Sequence, residues 1–497
     1  MSDRPEQEQI RFNKLRKLRE EEGFDYPNDV SVNASTADVL SAEVLEPEKA
    51  PRFNIAGRIV QLRLMGKAAF VHLLDGSGKL QVYIRKDQVG EQAYRIFKEA
   101  DIGDIYEVSG YAFVTKTGEK SLFAESIRLL VKGLVPLPEK WHGLSDVELR
   151  YRQRYVDLIA NPEVREIFRK RARIIAGIRS FLDDLGFLEV ETPVLNYVAG
   201  GATARPFITH YNALHCDMYL RIALELPLKK LVVGGLERVY EIGRIFRNEG
   251  LSKKHNPEFT MLEFYAAYLD YTRLMDLTEE MLHKIVVDLC GSAKIDYLGQ
   301  QLDFTPPWPR ISMLDSIYEI GGVERNFDLN TLEGVKAAAV KYEVELEEPQ
   351  DWGRSLDNLW EKLVEHKMIS PTFLTHHPFS ISPLAKKNRE NPNVTDRFEL
   401  IIAGMEVANA FSELNDPVDQ RERFEAQAER KAKGDQEASD VEEDFLRALE
   451  YGLPPTGGEG IGIDRLVMLL TNSPSIRDVL LFPQLKPLAD KNIADRE

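Results

Sequence analysis

A pair of strand-like segments joined by a charged loop, residues 246–265, constrains the fold of this chain more than any other part of its sequence. Side chains alternate between the two faces of a β-strand, so Phe259, Met261, Glu263 and Tyr265 share one face if the second segment is a strand. An aromatic ring and a carboxylate on one face of such a hairpin indicate a cleft rather than a purely structural turn.

The first segment adds cationic groups to the same hairpin. By the same alternation Arg247 and Glu249 are expected to share a strand face, and His255 follows in the loop. Arginine suits a phosphate group because its planar fork donates two parallel hydrogen bonds and keeps its charge. Phe259 offers a ring on which a purine can stack. The hairpin therefore predicts contacts with a phosphate and a purine.

A glycine-rich run over residues 457–462 leads through Arg465 into the apolar segment 466–470. Glycines let the backbone approach a ligand closely, and a helix N-terminus favours anions. The run is not a dinucleotide-binding fingerprint, because Ile463 occupies the position at which the spacing requires glycine. By itself the run predicts only an anion-binding place beside Arg465.

Together the hairpin and the glycine-rich run resemble motifs 2 and 3 of the class II aminoacyl-tRNA synthetases, and the segment 186–193 resembles their motif 1. The sequence is most similar to the lysyl-tRNA synthetases of bacterial type, from the N-terminal helix to residues 475–483. The resemblance implies an α+β protein, in which a class II catalytic domain with an antiparallel sheet and helices follows an OB-fold β-barrel. It also implies an enzyme that activates L-lysine with ATP and transfers it to the 3′ end of tRNA(Lys) in translation.

The strand pattern locates the barrel. Short strands with turn signals occupy residues 53–84, and a hairpin around residues 115–120 follows a helix near 91–99. Five or so strands favour an OB-type barrel, which binds single-stranded nucleic acid on its strand face by aromatic stacking. We expect four regions, namely an N-terminal helical extension over 1–51, the OB-fold anticodon-binding domain over 52–135, a linker over 136–160 and the catalytic domain over 161–497.

Composition is consistent with a large cytoplasmic enzyme. The 497 residues are 43% hydrophobic, which allows more than one sizeable core, and no segment resembles a membrane span or a signal peptide. Cys216 and Cys290 lack the spacing of a zinc site or a disulfide framework, and we interpret both as packing residues. We expect no contact with a membrane.

The net charge of −17 does not exclude an RNA partner, because a local basic patch can coexist with an acidic surface. The segment 11–19 carries five cations at helical spacing around Phe12, Leu15 and Leu18. Two interpretations remain open: an RNA-binding patch, or a solvated helix that packs by its apolar stripe.

For the lysine pocket the resemblance implies three carboxylates, Glu225, Glu263 and Glu413. A third alternating segment places Asn409, Phe411 and Glu413 on one face. Carboxylates around an apolar-walled slot suit an ammonium group on a four-carbon stem, although each acid could instead pair with an arginine of the scaffold. The resemblance also assigns Tyr265, Asn409 and Phe411 to the pocket and Gly201 to a close backbone approach.

For ATP the resemblance assigns Arg247 to the α-phosphate and the lysine carboxylate, and His255 and Arg465 to the outgoing phosphates. Glu249 and Phe259 are assigned to the adenine. Arg247 and Arg465 are the expected catalytic residues, and they act by positioning and charge neutralisation rather than through a covalent intermediate.

The resemblance further implies a magnesium ion and an RNA contact. Glu399 and Glu406 match the magnesium carboxylates of the family, and a few acids beside nucleotide phosphates are the usual environment of Mg²⁺. Arg63, Phe70 and Gln81 match its anticodon-binding residues, although Phe70 could equally belong to a core. Motif 1 implies a homodimer.

Three alternatives remain. A lysyl-type ligase that modifies a protein could use the same catalytic residues, but that relative lacks the barrel that residues 52–135 predict. An aspartyl or asparaginyl enzyme would need cations where this pocket has acids. A regulatory RNA-binding paralogue would have no physical need for an intact set of Arg247, Glu406 and Arg465.

Overall fold

The protein is described by a computed structural model over residues 4–138, 146–202, 204–433 and 440–487. The chain forms two compact units, which meet in sequence between Ser145 and Asp146. Part of the expected linker, residues 139–145, lies outside the described residues.

The first unit contains a barrel with short helices around it. Its elements are α1 Glu6–Glu22, α2 Thr36–Ser41, β1 Phe53–Met65, β2 Ala68–Leu74, β3 Lys79–Arg85, α3 Lys86–Val89, α4 Glu91–Lys98, β4 Ile105–Val114 and β5 Lys120–Val131. The strands close in the order β1-β2-β3-β5-β4. Along β2 the buried side chains Ala69, Val71 and Leu73 alternate with outward ones, as a barrel filled by its own side chains requires. The predicted OB-type barrel is confirmed.

Helix α1 packs by an apolar stripe. Leu15 and Leu18 are buried, and Arg11 donates from one guanidinium nitrogen to the carbonyls of Gly133 and Val135. Lys14 pairs with Asp101 at 2.9 Å. Lys17 pairs with Glu21, and Arg19 lies over the Tyr26 ring. Four of the five cations in this segment therefore have partners within the first unit, which favours the interpretation of α1 as a packed, solvated helix.

The second unit is built around one large sheet. Its helices are α5 Val147–Arg152, α6 Arg154–Ala160, α7 Pro162–Asp184, α8 Glu225–Val233, α9 Tyr271–Cys290, α10 Met313–Glu319, α11 Leu332–Tyr342, α12 Trp352–Leu363, α13 Pro417–Ala432, α14 Glu443–Gly452, α15 Ile463–Leu470 and α16 Ile476–Val479, with 3₁₀ turns at Glu365–Lys367 and Phe379–Ile381. Its strands are β6 Leu188–Glu189, β7 Leu195–Asn196, β8 Ile208–Tyr211, β9 Cys216–Leu220, β10 Arg238–Phe246, β11 Glu258–Ala267, β12 Lys294–Tyr297, β13 Gln300–Asp303, β14 Arg310–Ser312, β15 Thr372–Thr375, β16 Arg397–Ile401, β17 Glu406–Ser412 and β18 Thr456–Gly462.

The eight-stranded sheet has the order β14-β15-β16-β17-β18-β11-β10-β6. Its six central strands are antiparallel, and only β14 and β6 join it in parallel. Helices α7, α9 and α15 cover one face, where Leu262 and Phe264 of β11 enter the main core. The odd-numbered side chains of β11 project from the other face, and this arrangement creates the cleft described below. The expected antiparallel catalytic sheet is confirmed.

Several local expectations need correction. The sequence predicts one helix over residues 149–159, but the chain breaks at Gln153 between α5 and α6. Cys216 is half-buried and Cys290 is exposed, so the interpretation of Cys290 as a packing residue is wrong. No helix in the described ranges combines the length and the apolar character that a membrane crossing requires.

Candidate active site

A cavity of about 520 Å³ lies on the face of the large sheet opposite to α7, α9 and α15. It gathers most of the site residues expected from the sequence. Those that line it are Gly201, Glu225, Arg247, Glu249, His255, Phe259, Glu263, Tyr265, Glu406, Asn409, Phe411 and Arg465. Glu399 and Glu413 do not belong to the lining and lie behind the wall of the cavity.

Strand register brings these distant segments together. Glu263 of β11 lies opposite Gly460 of β18, and Gly460 lies opposite Asn409 of β17. One step along the same face, Tyr265, Gly458 and Phe411 form a second row. Side chains of β11 and β17 therefore project into the cavity on either side of the glycines of β18, which lies between these two strands.

The glycines of β18 are needed for space. A methyl group at Gly458 would collide with the Glu413 carboxylate and the Tyr265 ring, and one at Gly460 would collide with the Met261 side chain. The glycine-rich run therefore leaves room for pocket side chains, and Arg465 projects from the helix that follows it. This is a different use of glycine from the close backbone approach to a ligand that the sequence suggested.

Glu263 is an acid buried at the floor of the cavity. Its Oε1 accepts the Leu224 backbone N–H at 2.9 Å, and its Oε2 accepts the Tyr265 hydroxyl at 3.0 Å. Burial, reinforced by the nearby Glu225 carboxylate, raises the pKa of Glu263 to about 7. A cation bound in the cavity would stabilise the Glu263 carboxylate and so lower the pKa of Glu263 again.

Two further acids share an ammonium group of the chain itself. Lys229, one turn after Glu225 on α8, contacts the carboxylates of Glu225 and Glu413 through its Nζ. Burial opposes the charge of this ammonium, but the two acids outweigh it and raise the pKa of Lys229. Burial also raises the pKa of Glu413 well above its ordinary value despite Lys229. Sequence reasoning missed Lys229 because it occupies an ordinary helical position.

Arg247 lies near the start of β11, in the loop between the hairpin strands. Strand β10 ends at Phe246, so the expectation that Arg247 and Glu249 share a strand face is wrong. Both residues line the cavity nevertheless. The Arg247 guanidinium lies 5.2 Å from the centre of the Phe259 ring, and Nε donates to the Ile222 carbonyl at 3.4 Å. Among the described residues its terminal nitrogens have no hydrogen-bond acceptor, so they are available for an anion.

Arg465 is a second cation in the cavity, and His255 lies beside it. Arg465 donates to the Glu406 carbonyl at 2.6 Å and lies 3.4 Å from the Glu406 carboxylate. Its other terminal nitrogen is 3.3 Å from His255 Nε2. Burial, together with the positive charge of Arg465, lowers the pKa of His255. The neighbouring Asp464 fixes this helix to β11 by accepting the Thr260 N–H at 2.6 Å.

Glu399 lies on β16 behind Asn409. Its carboxylate accepts a hydrogen bond of 2.5 Å from Arg397 and lies 3.5 Å from His377 Nε2. Burial opposes its charge, but His377 and then Arg397 outweigh that effect and bring the pKa of Glu399 to about 2. Glu399 raises the pKa of Glu406, for which burial is the larger cause. The two carboxylates are therefore close enough to repel each other.

The charged stretch 421–450 contributes to the site, which sequence reasoning did not anticipate. Phe424 and Gln427 of α13 line the cavity, and so do Asp440 and Glu442 before α14. Phe445 is buried in the same core as Tyr265. The high charge of residues 421–450 predicts a solvated helical pair, and this prediction is wrong for one side of both helices. Residues 434–439 lie outside the described ranges.

The barrel carries the three expected RNA-binding residues on its outer face. Phe70 is half-buried and stacks on Tyr83 with ring centres 4.7 Å apart, so it does not belong to the barrel core. Gln81 donates to Glu119 at 2.7 Å and accepts from Ser121 at 2.9 Å. Arg63 lies opposite Phe70 in the strand register and is exposed. Tyr83 and Glu119 are neighbours that the sequence argument did not name.

Comparisons with known proteins agree with this architecture. Residues 146–486 match the family described as class II tRNA synthetases (D, K and N), and residues 53–130 match the OB-fold nucleic acid binding domain. The chain therefore belongs to the class II tRNA synthetases, in the family designated D, K and N.

Within this class the chain is similar to proteins named lysine–tRNA ligase. It is 55% identical to that of Moorella thermoacetica over 479 residues, which cover 96% of this chain and 97% of the relative. It is 52% identical to that of Bacillus subtilis (strain 168) over 487 residues, or 97% of each protein. The ligase of Dehalococcoides mccartyi is 53% identical over 469 residues, which cover 94% of this chain and 93% of the relative.

Proposed function

We propose that the protein activates L-lysine with ATP and transfers it to the 3′ end of tRNA(Lys). The observation that carries this proposal is the distribution of charge in the cavity, with cationic side chains at one end and acids at the other. Arginine and histidine side chains lie near the start of β11, whereas Glu263 lies farther along the strand with Glu225 of α8 close to it. Such a cavity suits a ligand with a carboxylate at one end and an ammonium group at the other.

In the proposed mechanism the lysine carboxylate attacks the α-phosphate of ATP in line, and pyrophosphate leaves. Arg247 binds the α-phosphate and the carboxylate, because its guanidinium has free donors and is held against Phe259. Arg465 and His255 bind the outgoing phosphates, and Glu249 and Phe259 hold the adenine. The side chains thus orient the reactants and neutralise charge, which supplies most of the acceleration in phosphoryl chemistry.

For the amino acid, Glu225 and Glu263 hold the ammonium groups beside Tyr265, Asn409 and Phe411, with Glu413 supporting them from behind. Gly201 has a positive φ of 87°, and a side chain there would press on Ala223 and Glu225. This glycine lets the backbone close the pocket against the substrate.

We include Mg²⁺ in the proposal, with Glu399 and Glu406 as its protein ligands. The donor set fits in kind, because both groups are carboxylates and the Glu406 side chain is 42% exposed toward the cavity. Glu399 is 15% exposed and hydrogen-bonded to Arg397, so it would have to turn toward the ion. The described residues form no cluster of three or more acids, histidines and cysteines suited to a metal. That is compatible with magnesium, which usually takes few protein ligands and completes its shell with phosphates and water. When bound, the ion would neutralise phosphate charge.

For the tRNA we assign Arg63, Phe70 and Gln81 to the anticodon. Phe70 and Tyr83 provide a stacking surface, and the Gln81–Glu119 pair offers donors and acceptors for base edges. Because charging of tRNA serves translation, the same proposal places the protein in the cytoplasm.

We also propose a homodimer that forms through the region around motif 1. Several large apolar side chains are exposed on and near β6 to β8. They are Leu188, Val194, Leu195, Tyr197 and Ile208. An apolar surface of this kind marks an interaction site, and a second copy of the chain is the simplest occupant. Sedimentation of the purified protein at several concentrations tests this assignment.

The decisive experiment is ATP–pyrophosphate exchange with purified protein across the amino acids, followed by charging of tRNA. Exchange that only L-lysine stimulates, with charging of a tRNA that has a UUU anticodon, is the expected result. Exchange with aspartate or asparagine would refute the lysine pocket. Exchange without tRNA charging would support a protein-modifying ligase, and no exchange would support an RNA-binding paralogue.

The role of Arg247 can be tested against a matched control. Arg247→Ala is expected to abolish exchange while the protein stays folded. Arg244→Ala removes an exposed arginine that does not line the cavity, so exchange should persist. Normal exchange in the Arg247→Ala variant would refute its assignment.

A further inference from the structure

Lys229 is a fully buried cation directly behind the wall of the amino-acid cavity. Its side chain is 0% exposed, and its ammonium group contacts Glu225 on its own helix and Glu413 after β17. The ring centres of Phe411 and Phe445 lie 5.5 and 5.7 Å from Nζ. A buried charge is costly unless paired, so an ammonium group retained here needs both acids.

The side chains around Lys229 form two layers, an inner layer that lines the cavity and an outer layer behind it. Glu225 and Phe411 line the cavity, whereas Lys229 and Glu413 do not. Lys229 therefore contacts the inner layer from behind and joins α8 to the chain after β17. An acid that lines the cavity and an acid that lies behind it are held by one nitrogen atom.

The charges of this group are unequal. Glu225, Glu263 and Glu413 are three acids, and Lys229 is the one cation that contacts any of them as an ion pair in the described part of the chain. With all groups ionised, the set carries two negative charges more than positive ones. Free lysine carries two ammonium groups, one on the α-carbon and one on the side chain. The two ammonium groups of the substrate balance the two excess negative charges of the set, and the substrate carboxylate pairs with Arg247 instead.

A buried carboxylate oxygen that lacks a hydrogen-bond donor within the described ranges also indicates that this group binds an ammonium ligand. Glu413 Oε1 is fully buried and has no hydrogen-bond partner among the described residues. It lies against Tyr265 and above Gly458, next to the cavity floor. Buried carboxylate oxygens normally have partners, so this one is suited to a donor that arrives with a ligand.

We propose that Lys229 is a positioning residue that determines selectivity in the lysine pocket, by holding Glu225 and Glu413 in place and by limiting the pocket to two uncompensated negative charges. This inference rests on the proposed activation of lysine. Without the Lys229 ammonium, Glu225 and Glu413 lose their common partner and repel each other. The geometry of the substrate ammonium site then fails, whereas the ATP-binding side chains are unaffected.

The test measures the KM of lysine and the KM of ATP separately in the exchange reaction. Lys229→Met keeps an unbranched side chain of similar length without the charge. We expect at least a tenfold rise in the KM for lysine and less than a twofold change in the KM for ATP. Lys229→Arg keeps the charge but not the compact ammonium that both acids share, so its KM for lysine should rise, though less than that of Lys229→Met, while its KM for ATP stays unchanged.

The barrel offers a matched control. Lys132 is also a buried ammonium group held by two acids, Asp101 at 2.5 Å and Asp104 at 2.8 Å. Lys132→Met should cost comparable stability, because it too leaves buried carboxylates without their cation, yet leave the KM for lysine unchanged in the exchange reaction.

Each outcome bears on one claim. An unchanged KM for lysine in folded Lys229→Met, or equal effects on lysine and ATP, would overturn the inference. If Lys229→Met does not fold, Lys229→Arg decides, because a rise confined to the KM for lysine supports the role and no rise overturns it. Wild-type protein without lysine-dependent exchange would refute the proposed function itself.

Discussion

Lysine binding is expected to tighten as the pH rises from 6 to 8, because Glu263 must be ionised to hold an ammonium group. The pKa of Glu263 in the free protein is raised to about 7 by burial and by Glu225. Only about 1/11 of the molecules then carry the Glu263 carboxylate at pH 6, against about 10/11 at pH 8, and apparent affinity scales with the competent fraction. The apparent Kd for lysine should therefore fall roughly tenfold across this range.

Titration calorimetry of lysine into the protein without ATP measures this change. The side-chain ammonium of lysine, with a pKa of about 10.4, stays charged throughout, so the protein supplies the dependence. Calorimetry in buffers with different ionisation heats should also detect release of about half a proton per lysine at pH 7. Proton release should decline toward pH 8, where most Glu263 carboxyls are already ionised.

Glu263→Gln supplies the control. The amide oxygen can still accept the Leu224 N–H, and the side chain keeps its size, but it no longer titrates. Lysine binding should weaken and lose its pH dependence. A flat wild-type affinity between pH 6 and 8, or the same slope in Glu263→Gln, would refute the assignment of Glu263 as the titrating acid.

Three other perturbations test separate parts of the molecule. Glu459 is a buried acid hydrogen-bonded to Thr278, and its pKa is raised to about 8 by burial, so it stabilises the fold at low pH and this contribution is lost as the pH rises toward 8. Glu459→Gln should remove about 3 kcal/mol of that dependence, measured by denaturant unfolding between pH 6 and 9; an unchanged slope would contradict it. Gly458→Ala should destabilise the protein by about 1–3 kcal/mol in the same assay, because the methyl group meets Tyr265, and a neutral effect would show that the pocket can expand. Phe70→Ala should weaken tRNA binding by about 1–3 kcal/mol, roughly 5- to 150-fold, in a filter-binding assay, while lysine-dependent exchange stays normal; unaltered tRNA binding would remove Phe70 from the RNA site.

Local pattern predicted those parts of the fold that depend on strand alternation. The odd residues of β11 were expected on one face, and Phe259, Met261, Glu263 and Tyr265 do line the cavity. The barrel followed from short strands with turn signals for the same reason. Alternation failed where the strand ended, because Arg247 and Glu249 occupy a loop whose course depends on tertiary contacts.

The remaining parts of the site depend on long-range packing that no local pattern contains. Lys229 reads as one of two adjacent lysines on a short helix, and only the fold brings it to Glu413, 184 positions later in the chain. Phe424 and Gln427 lie in a stretch whose charges favour a solvated helix, yet one side of α13 faces the cavity. The resemblance to a family supplied Glu225 and Glu413, but not the cation between them.

The arrangement of charge along β11 explains how one cavity could orient lysine. Arg247 contacts the Phe259 ring near the start of the strand, and Glu263 follows four residues later, a separation of about 13 Å at ~3.3 Å per residue. An amino acid with its carboxylate toward the acids would place like charges together and leave the Arg247 guanidinium without a partner. The opposite orientation pairs the carboxylate with Arg247 and the ammonium groups with the acids, and it presents the carboxylate to the α-phosphate of ATP. The same charges that favour lysine over aspartate therefore also select the reactive orientation.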